Sequence, residues 1–274
     1  MEYLKELFHI NEKVVILTGG AGILAGEMSK GFIKAGAKVI LLDINKEILD
    51  KRITALSELD SEVIGFQCNV IDEEKLKEVH HSILEKYGRI DILVNAAGGN
   101  MQGATVGIGQ SIFDIQMEEL KKVTELNLNG TVLPTLIFGR TMAEQKSGSI
   151  INISSMASFR VITRVAGYSA AKAAVENFTK WMAVEMALKF GSAIRVNAIA
   201  PGFLLTEQNR TLLTNPDGSL TERGKTIINM TPFKRFGEPE ELIGAVLWLA
   251  SDASRFVSGA IIPIDGGFSV FSGV

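Results

Sequence analysis

The sequence predicts an α/β fold, a doubly wound, seven-stranded parallel sheet with helices on both faces, in one domain over residues 1–274. Three observations carry that prediction. Seven short runs rich in Val and Ile recur along the chain, and a run apolar at every position is the pattern of a strand buried on both faces. The stretches between the runs are long enough for crossover helices. No linker, repeat or low-complexity segment divides the chain.

The expected strands are residues 14–17, 39–42, 63–66, 90–94, 150–153, 194–199 and 261–264. Two of the intervening stretches are unusually long, 98–117 and 203–238, and the second holds the turn-forming run Asn215, Pro216, Asp217, Gly218. Long loops at strand ends of such a sheet usually line the substrate site, so 203–238 is expected to be a substrate-loop insertion. With 46% apolar residues and a net charge of −3, the chain can bury a large core and offers no basic surface to a nucleic acid. The single cysteine, Cys68, excludes an intramolecular disulfide and a Cys-rich metal site; it reads as a small buried residue near a strand end. No metal is expected.

Residues 1–11 carry Glu2, Lys5, Glu6 and His9 where a signal peptide would be apolar. No apolar run nears the roughly 20 residues of a membrane span. A cytoplasmic protein with no membrane partner is expected. His9, His80 and His81 belong to no motif, and the adjacent pair is expected at the surface. Asp72, Glu73 and Glu74 read as a solvated helix start, favoured by the helix dipole.

The first strand runs into Thr18, Gly19, Gly20, Ala21 and Gly22, then Ile23, Leu24, Ala25, Gly26 and a helical pattern. Glycines after a first strand give a tight turn and let backbone N–H groups approach a diphosphate, as in the Rossmann fold. Alone this is a weak signal, since simple tight turns look the same. Asp43 closes the second strand. An acid there can hydrogen-bond the adenosine ribose hydroxyls and would repel a 2′-phosphate. Ile44 and Asn45 follow, where an NADP-binding site would often offer Arg or Lys. NAD is therefore the expected cofactor.

The fifth strand ends in Asn152, Ile153, Ser154 and Ser155, and downstream comes Tyr168, Ser169, Ala170, Ala171, Lys172. Tyr168 and Lys172, spaced i and i+4, share a helix face. A phenol titrating near pH 10 is a poor base at neutrality, and a nearby ammonium favours its phenolate. Ser155 can hold a substrate oxygen while Tyr168 exchanges its proton. An isolated Tyr-x-x-x-Lys is usually an ordinary helix pair; here it follows a Ser-Ser strand end and a Gly-rich turn.

Together these motifs resemble the short-chain dehydrogenase/reductase family over nearly the full chain. The resemblance implies a cofactor turn at Thr18, Gly19, Gly22, Ile23 and Leu24, an adenine contact at Asn69 and Val70, and a cleft-shaping element at Asn95, Ala96, Ala97 and Gly98. It implies a catalytic set of Asn127, Ser155, Tyr168 and Lys172, with Asn127 holding a water in a proton relay to the lysine. Tyr168 and Lys172 would also touch the cofactor. Pro201, Gly202 and Thr206 match the segment at the nicotinamide end, and Asp265, Gly266 and Gly267 a common C-terminal element. Three elements depart from the family pattern. Ile23 and Ala25 stand where later glycines of the turn are usual, with Gly26 offering some room nearby. Asn69 replaces an aspartate, and Ala96 replaces a second asparagine.

Within the family the narrower resemblance is to the short-chain type of D-mannonate oxidoreductase, or fructuronate reductase. It rests on residues 22–26, 96–100, 201–210, 218–224 and 265–274. It implies interconversion of D-fructuronate and D-mannonate with NAD(H). A hexonate site needs a cation, preferably a guanidinium, together with amide donors. Arg164 or Arg210 is the expected carboxylate ligand, each otherwise a surface or interface arginine, with Arg160 also near the reacting centre and Gln208, Asn209 and Asn100 as amides. Apolar residues between 170 and 188 cover more than one helical stripe, so that helix is expected to bury a second face, in a homodimer or homotetramer or within one subunit. Two other readings stay open: a polyol, gluconate or 3-oxoacyl reductase using the same residues, and a non-catalytic NADH sensor.

Overall fold

A computed structural model of the protein describes residues 2–59, 62–207 and 209–273. All seven expected strands form, their ends moved by a residue or two. They are β1 (Val14–Thr18), β2 (Lys38–Asp43), β3 (Val63–Gln67), β4 (Ile92–Asn95), β5 (Gly148–Ile153), β6 (Ile194–Pro201) and β7 (Ile261–Ile264). They lie in the order β3-β2-β1-β4-β5-β6-β7, with every neighbouring pair parallel. The helices among the described residues are α1 (Glu2–Leu7), α2 (Ile23–Lys34), α3 (Lys46–Ser57), α4 (Glu73–Tyr87), α5 (Met117–Thr124), α6 (Gly130–Gln145), α7 (Ala166–Phe190), α8 (Arg210–Leu213), α9 (Glu222–Met230) and α10 (Ile243–Ala250).

Alternation along each strand sorts the side chains into two cores. Val15, Leu17, Val39, Leu41, Val94 and Ile151 face Met28 and Phe32 of α2 and Val246 and Leu249 of α10. Val14, Ile16, Ile40, Leu42, Leu93 and Ile150 face α4, α6 and α7 through Leu76, Val79, Phe138, Met142, Met182 and Met186. Both faces are covered, which is why the strands read as continuous apolar runs.

His80 departs from its expected surface position. Its ring is half-buried against Phe138, with Nε2 2.7 Å from the Thr141 hydroxyl, and burial holds its pKa below the usual value. The partner is on α6, too far along the chain for a motif to reveal; His81 remains exposed. Cys68 is buried, and desolvation pushes its thiol up to about 11, so it is no nucleophile. No helix among the described residues is long and apolar enough to cross a membrane.

The 203–238 segment folds into α8 and α9, and its ends meet in a parallel bridge between Leu204 and Gly237. The turn at 215–218 forms as expected, with Gly218 at φ +82°. On α7, Val175, Thr179, Met182 and Met186 are buried, while Trp181, Val184 and Leu188 stay more than half exposed on the opposite side. One subunit therefore does not cover the second apolar stripe.

Candidate active site

A parallel sheet delivers all its strand ends to one edge, and the strand order reverses between β1 and β4, opening a crevice there. The Thr18 hydroxyl, at the end of β1, accepts hydrogen bonds from the N–H groups of Ala96 and Ala97, both at 3.1 Å. It clips the segment after β4 beside the first turn. Gly19 takes φ +64° and packs so tightly that a Cβ would lie 2.8 Å from the Ala97 Cα. Asn95 is buried below, bonded to Thr135 and Asn152.

The crevice is lined by Gly19, Gly22, Ile23, Leu24, Asp43, Asn69, Val70, Ala96, Ala97 and Gly98. Helices α3 and α4 begin with side-chain caps, Asn45 to the Ile48 N–H and Asp72 to the Lys75 N–H. Helix α2 has no side-chain cap at Gly22 and no acid in its first turn. Its free N–H groups and positive end fit a diphosphate. Across the crevice, Asp43 accepts from the Ala21 N–H at 3.0 Å and the Asn45 N–H at 2.9 Å. Those bonds fix its carboxylate at the β2 edge, where ribose hydroxyls of a dinucleotide would meet it. The residues thus fit such a cofactor. Gly26 does not supply room to the turn; a Cβ there would strike the Arg52 guanidinium at 2.6 Å, so its space is taken by α3. The Asn69 side chain accepts from the Ile71 N–H at 3.3 Å, shaping its own turn at the crevice wall.

The structure brings the four expected catalytic residues together. Ser155 follows β5; its hydroxyl accepts from the Ala157 N–H at 3.2 Å and lies near enough to the Tyr168 phenol to favour its ionised form. Tyr168 and Lys172 share one face of α7, with the lysine Nζ 5.7 Å from the phenol ring centroid. Nζ donates to the Ile153 carbonyl at 2.7 Å and is buried, which brings its pKa down to about 8. Burial raises the Tyr168 phenol, opposed by the Ser155 hydroxyl. Asn127 sits in a π-helical turn, Glu125–Asn129, between α5 and α6, a distortion common at functional sites. Its amide donates to the Gly99 and Val123 carbonyls, both at 2.7 Å, and its Oδ1 accepts from the Gly99 N–H at 3.2 Å.

Gly98 separates Asn127 from Lys172. A Cβ there would lie 2.7 Å from Asn127 Oδ1 and 3.2 Å from Lys172 Nζ. Gly98→Ala is expected to cost about 1–3 kcal/mol of stability through overpacking. Urea unfolding checks this; an unchanged midpoint would show that the pair tolerates displacement.

Glu176 was not expected. It lies one further turn along α7 on the Tyr168 and Lys172 face, 8% exposed. It accepts from the Ser154 hydroxyl at 2.7 Å, and the Ser158 hydroxyl shares its one proton between Glu176 and the Ser155 carbonyl. The carboxyl thereby holds the Ser155 loop against α7. Its i+8 spacing from Tyr168 was the available signal.

At the far end, Pro201 closes β6 and the Gly202 N–H donates to the Ile264 carbonyl at 2.9 Å. The Thr206 N–H donates to Asn209 Oδ1 at 2.8 Å. Asp265 accepts from the Gly267 and Ser269 N–H groups, ordering the C-terminal turn. Of the expected substrate ligands, Arg164 donates from Nε to the Val106 carbonyl at 2.7 Å, and Asn100 donates to the Thr105 hydroxyl at 2.7 Å. Arg210 is exposed and faces Glu207 at 3.4 Å. Arg160 holds the Ser269 and Phe271 carbonyls. Gln208 lies outside the described residues.

The family model described as Enoyl-(Acyl carrier protein) reductase matches residues 20–269. The chain is 40% identical to the Bacillus subtilis protein named Uncharacterized oxidoreductase UxuB, over 96% of each chain. It is 36% identical to the 3-oxoacyl-[acyl-carrier-protein] reductase FabG of Thermotoga maritima, over 94% of this chain and 98% of that one. A Haemophilus influenza structure provisionally named a D-mannonate oxidoreductase, with bound NAD, superposes with a TM-score of 0.91 at 39% identity. It covers 97% of this chain and 98% of its own. A match of this extent, on a crevice whose turn, acid and Ser-Tyr-Lys cluster fall where the chemistry needs them, makes the chain a member of the short-chain dehydrogenase/reductase family of oxidoreductases.

Proposed function

We propose that the protein interconverts D-fructuronate and D-mannonate using NAD(H). The observation that carries the sugar acid is Arg164. It lies four residues before Tyr168 in the chain, and among the described residues only its Nε is hydrogen-bonded, so its terminal nitrogens would be left for a carboxylate. The sugar-acid name of the Haemophilus relative supports the reading. Arg210, already facing Glu207, is the weaker choice.

Bound NAD supplies or accepts the hydride. Everything else falls to the protein. Ser155 holds the carbonyl oxygen, Tyr168 gives that oxygen its proton in reduction and takes it back in oxidation, and Lys172 supplies the field that makes the phenolate accessible. Asn127, close to Lys172 across Gly98, would pass a proton onward through a water. Pro201, Gly202 and Thr206 would border the nicotinamide, and the 203–238 segment would bound the sugar. The bare stripe of Trp181, Val184 and Leu188 supports assembly of copies of this chain.

An NADH-oxidation assay with D-fructuronate beside 5-keto-D-gluconate and a 3-oxoacyl thioester tests the reading. Fructuronate is expected to have the highest kcat/KM, by about tenfold or more. Preference for either competitor replaces the substrate, and NADH binding without turnover of any carbonyl favours a sensor.

A further inference from the structure

Where β5 ends, each of residues 152–155 is registered on one side chain of α7. The Asn152 amide donates to the Thr179 hydroxyl at 2.8 Å, and the Ile153 carbonyl accepts from Lys172 Nζ at 2.7 Å. The Ser154 hydroxyl donates to Glu176 Oε1 at 2.7 Å, and Ser155 lies beside the Tyr168 phenol. Tyr168, Lys172, Glu176 and Thr179 stand on one stripe of the helix, at i, i+4, i+8 and i+11. Tyr168 and Lys172 serve the proton transfer. The Asn152 rung belongs to the sheet network, since Asn152 also accepts from the Asn95 amide at 2.9 Å. The Glu176 rung has neither role.

Burying Glu176 needs a reason. It is 8% exposed, and glutamate is seldom buried so far unless a cation pairs it. Among the described residues no cation lies within ion-pair distance of it. Its partners are two hydroxyls, and both converge on the same oxygen, Oε1. Packing alone would be served better by an apolar side chain, because a buried carboxyl loses its hydration. Nor does its charge tune the lysine one turn away: burial is what brings Lys172 down to about 8. What remains is the geometry that the two hydroxyls impose on the loop between them.

Ser154 and Ser158 bracket Ser155. Ser154 is fixed at the strand end, where its N–H donates to the Ile199 carbonyl at 2.8 Å. Ser158 closes the short turn after Ser155. Its N–H donates to the Ser155 carbonyl at 3.0 Å, and its hydroxyl proton is shared between that carbonyl and Glu176. One carboxyl oxygen gripping both neighbours sets where this turn sits against α7. It thereby sets where the Ser155 hydroxyl points, two helical turns from Glu176 and beside Tyr168.

We propose that Glu176 is a positioning residue for Ser155: its Oε1 pins the Ser154 and Ser158 hydroxyls so that the Ser155 hydroxyl and the Tyr168 phenol meet the same substrate oxygen. This role presupposes the carbonyl reduction described above, but no particular sugar. Misplacing a reacting group by about 1 Å can lower a rate about 100-fold, so a contact behind Ser155 has leverage on turnover.

Glu176→Leu and Glu176→Gln separate the acceptor from the bulk. Leucine fills the site and accepts from neither hydroxyl; glutamine keeps one oxygen for both. The substrate is whichever of D-fructuronate, 5-keto-D-gluconate and the 3-oxoacyl thioester wild type reduces fastest. Glu176→Leu is expected to lower kcat about 10–100-fold, with KM and the Kd for NADH within about threefold of wild type. Glu176→Gln should recover most of that loss. In a Ser155→Ala background, measured in single turnovers with enzyme in excess, Glu176→Leu should cost less than about twofold more, because residues acting through one another are not additive. A full loss in both backgrounds overturns the role, as does a Glu176→Leu kcat within about twofold of wild type or a glutamine variant as slow as the leucine one. Should Glu176→Leu not fold, Ser158→Ala, which removes one of the two hydroxyls, enters the same cycle and is judged in the same way. Faster reduction of another carbonyl than of fructuronate removes the substrate reading alone; a wild type that reduces none of the three overturns the positioning role with it.

Discussion

Tyr168→Phe is expected to lower kcat for ketone reduction by about 10³-fold, within the usual range for removing a general acid, while the Kd for NADH stays within about twofold. The phenol is partly withdrawn from solvent, and burial favours its neutral form. The resting enzyme therefore holds the proton that reduction consumes. Oxidation needs the phenolate, which must come from the Ser155 hydroxyl and the Lys172 ammonium acting together. With Lys172 brought down to about 8, that ammonium is itself lost as pH rises through this value in the free enzyme. Reduction should accordingly be fastest at low pH and decline as Tyr168 gives up its proton, whereas oxidation should rise with pH only while Lys172 keeps its charge and fall off above about 8. Stopped-flow kinetics in both directions, with NADH fluorescence titration for binding, separate proton transfer from cofactor affinity. A variant that keeps more than about a tenth of wild-type turnover removes Tyr168 from the proton path.

Local pattern carried the sheet. The strands at 14–17 and 39–42 could be read because two-sided burial leaves no polar position to confuse the period. The Gly19 turn, Asp43 and the Tyr168–Lys172 face could be read because their chemistry is encoded within a few residues. What stayed hidden depends on partners distant in the chain. His80 is drawn inward by Phe138 and Thr141. The room beside Gly26 belongs to Arg52 of α3 rather than to the cofactor turn. Glu176 repeats the helical spacing of Tyr168 and Lys172, yet its use shows only when Ser154 and Ser158 fold back onto it. Arg164 and Arg210 looked equivalent as sequence; the difference is a glutamate beside one and a backbone carbonyl under the other.

Asp43 is the residue expected to set the cofactor choice, so structure and recognition would pull on one side chain. Its two oxygens hold the Ala21 and Asn45 N–H groups, so it shapes the turn as well as being expected to meet the ribose. Asp43→Ala removes both acceptors and the charge, and is expected to weaken NAD binding while lowering the NAD-to-NADP ratio of kcat/KM. Asp43→Asn separates the effects: the amide oxygen can still accept one N–H, but the negative charge that repels a 2′-phosphate is gone. The ratio should fall about 10–100-fold in Asp43→Asn, the worth of one charge-assisted contact, with a smaller loss of NAD affinity than in Asp43→Ala. No arginine or lysine follows at Ile44 or Asn45, so neither variant should come to prefer NADP outright. Steady-state kinetics with both cofactors decide the matter. If the ratio is unchanged in Asp43→Asn and falls only in Asp43→Ala, the carboxylate serves the turn alone and the discrimination lies elsewhere in the crevice.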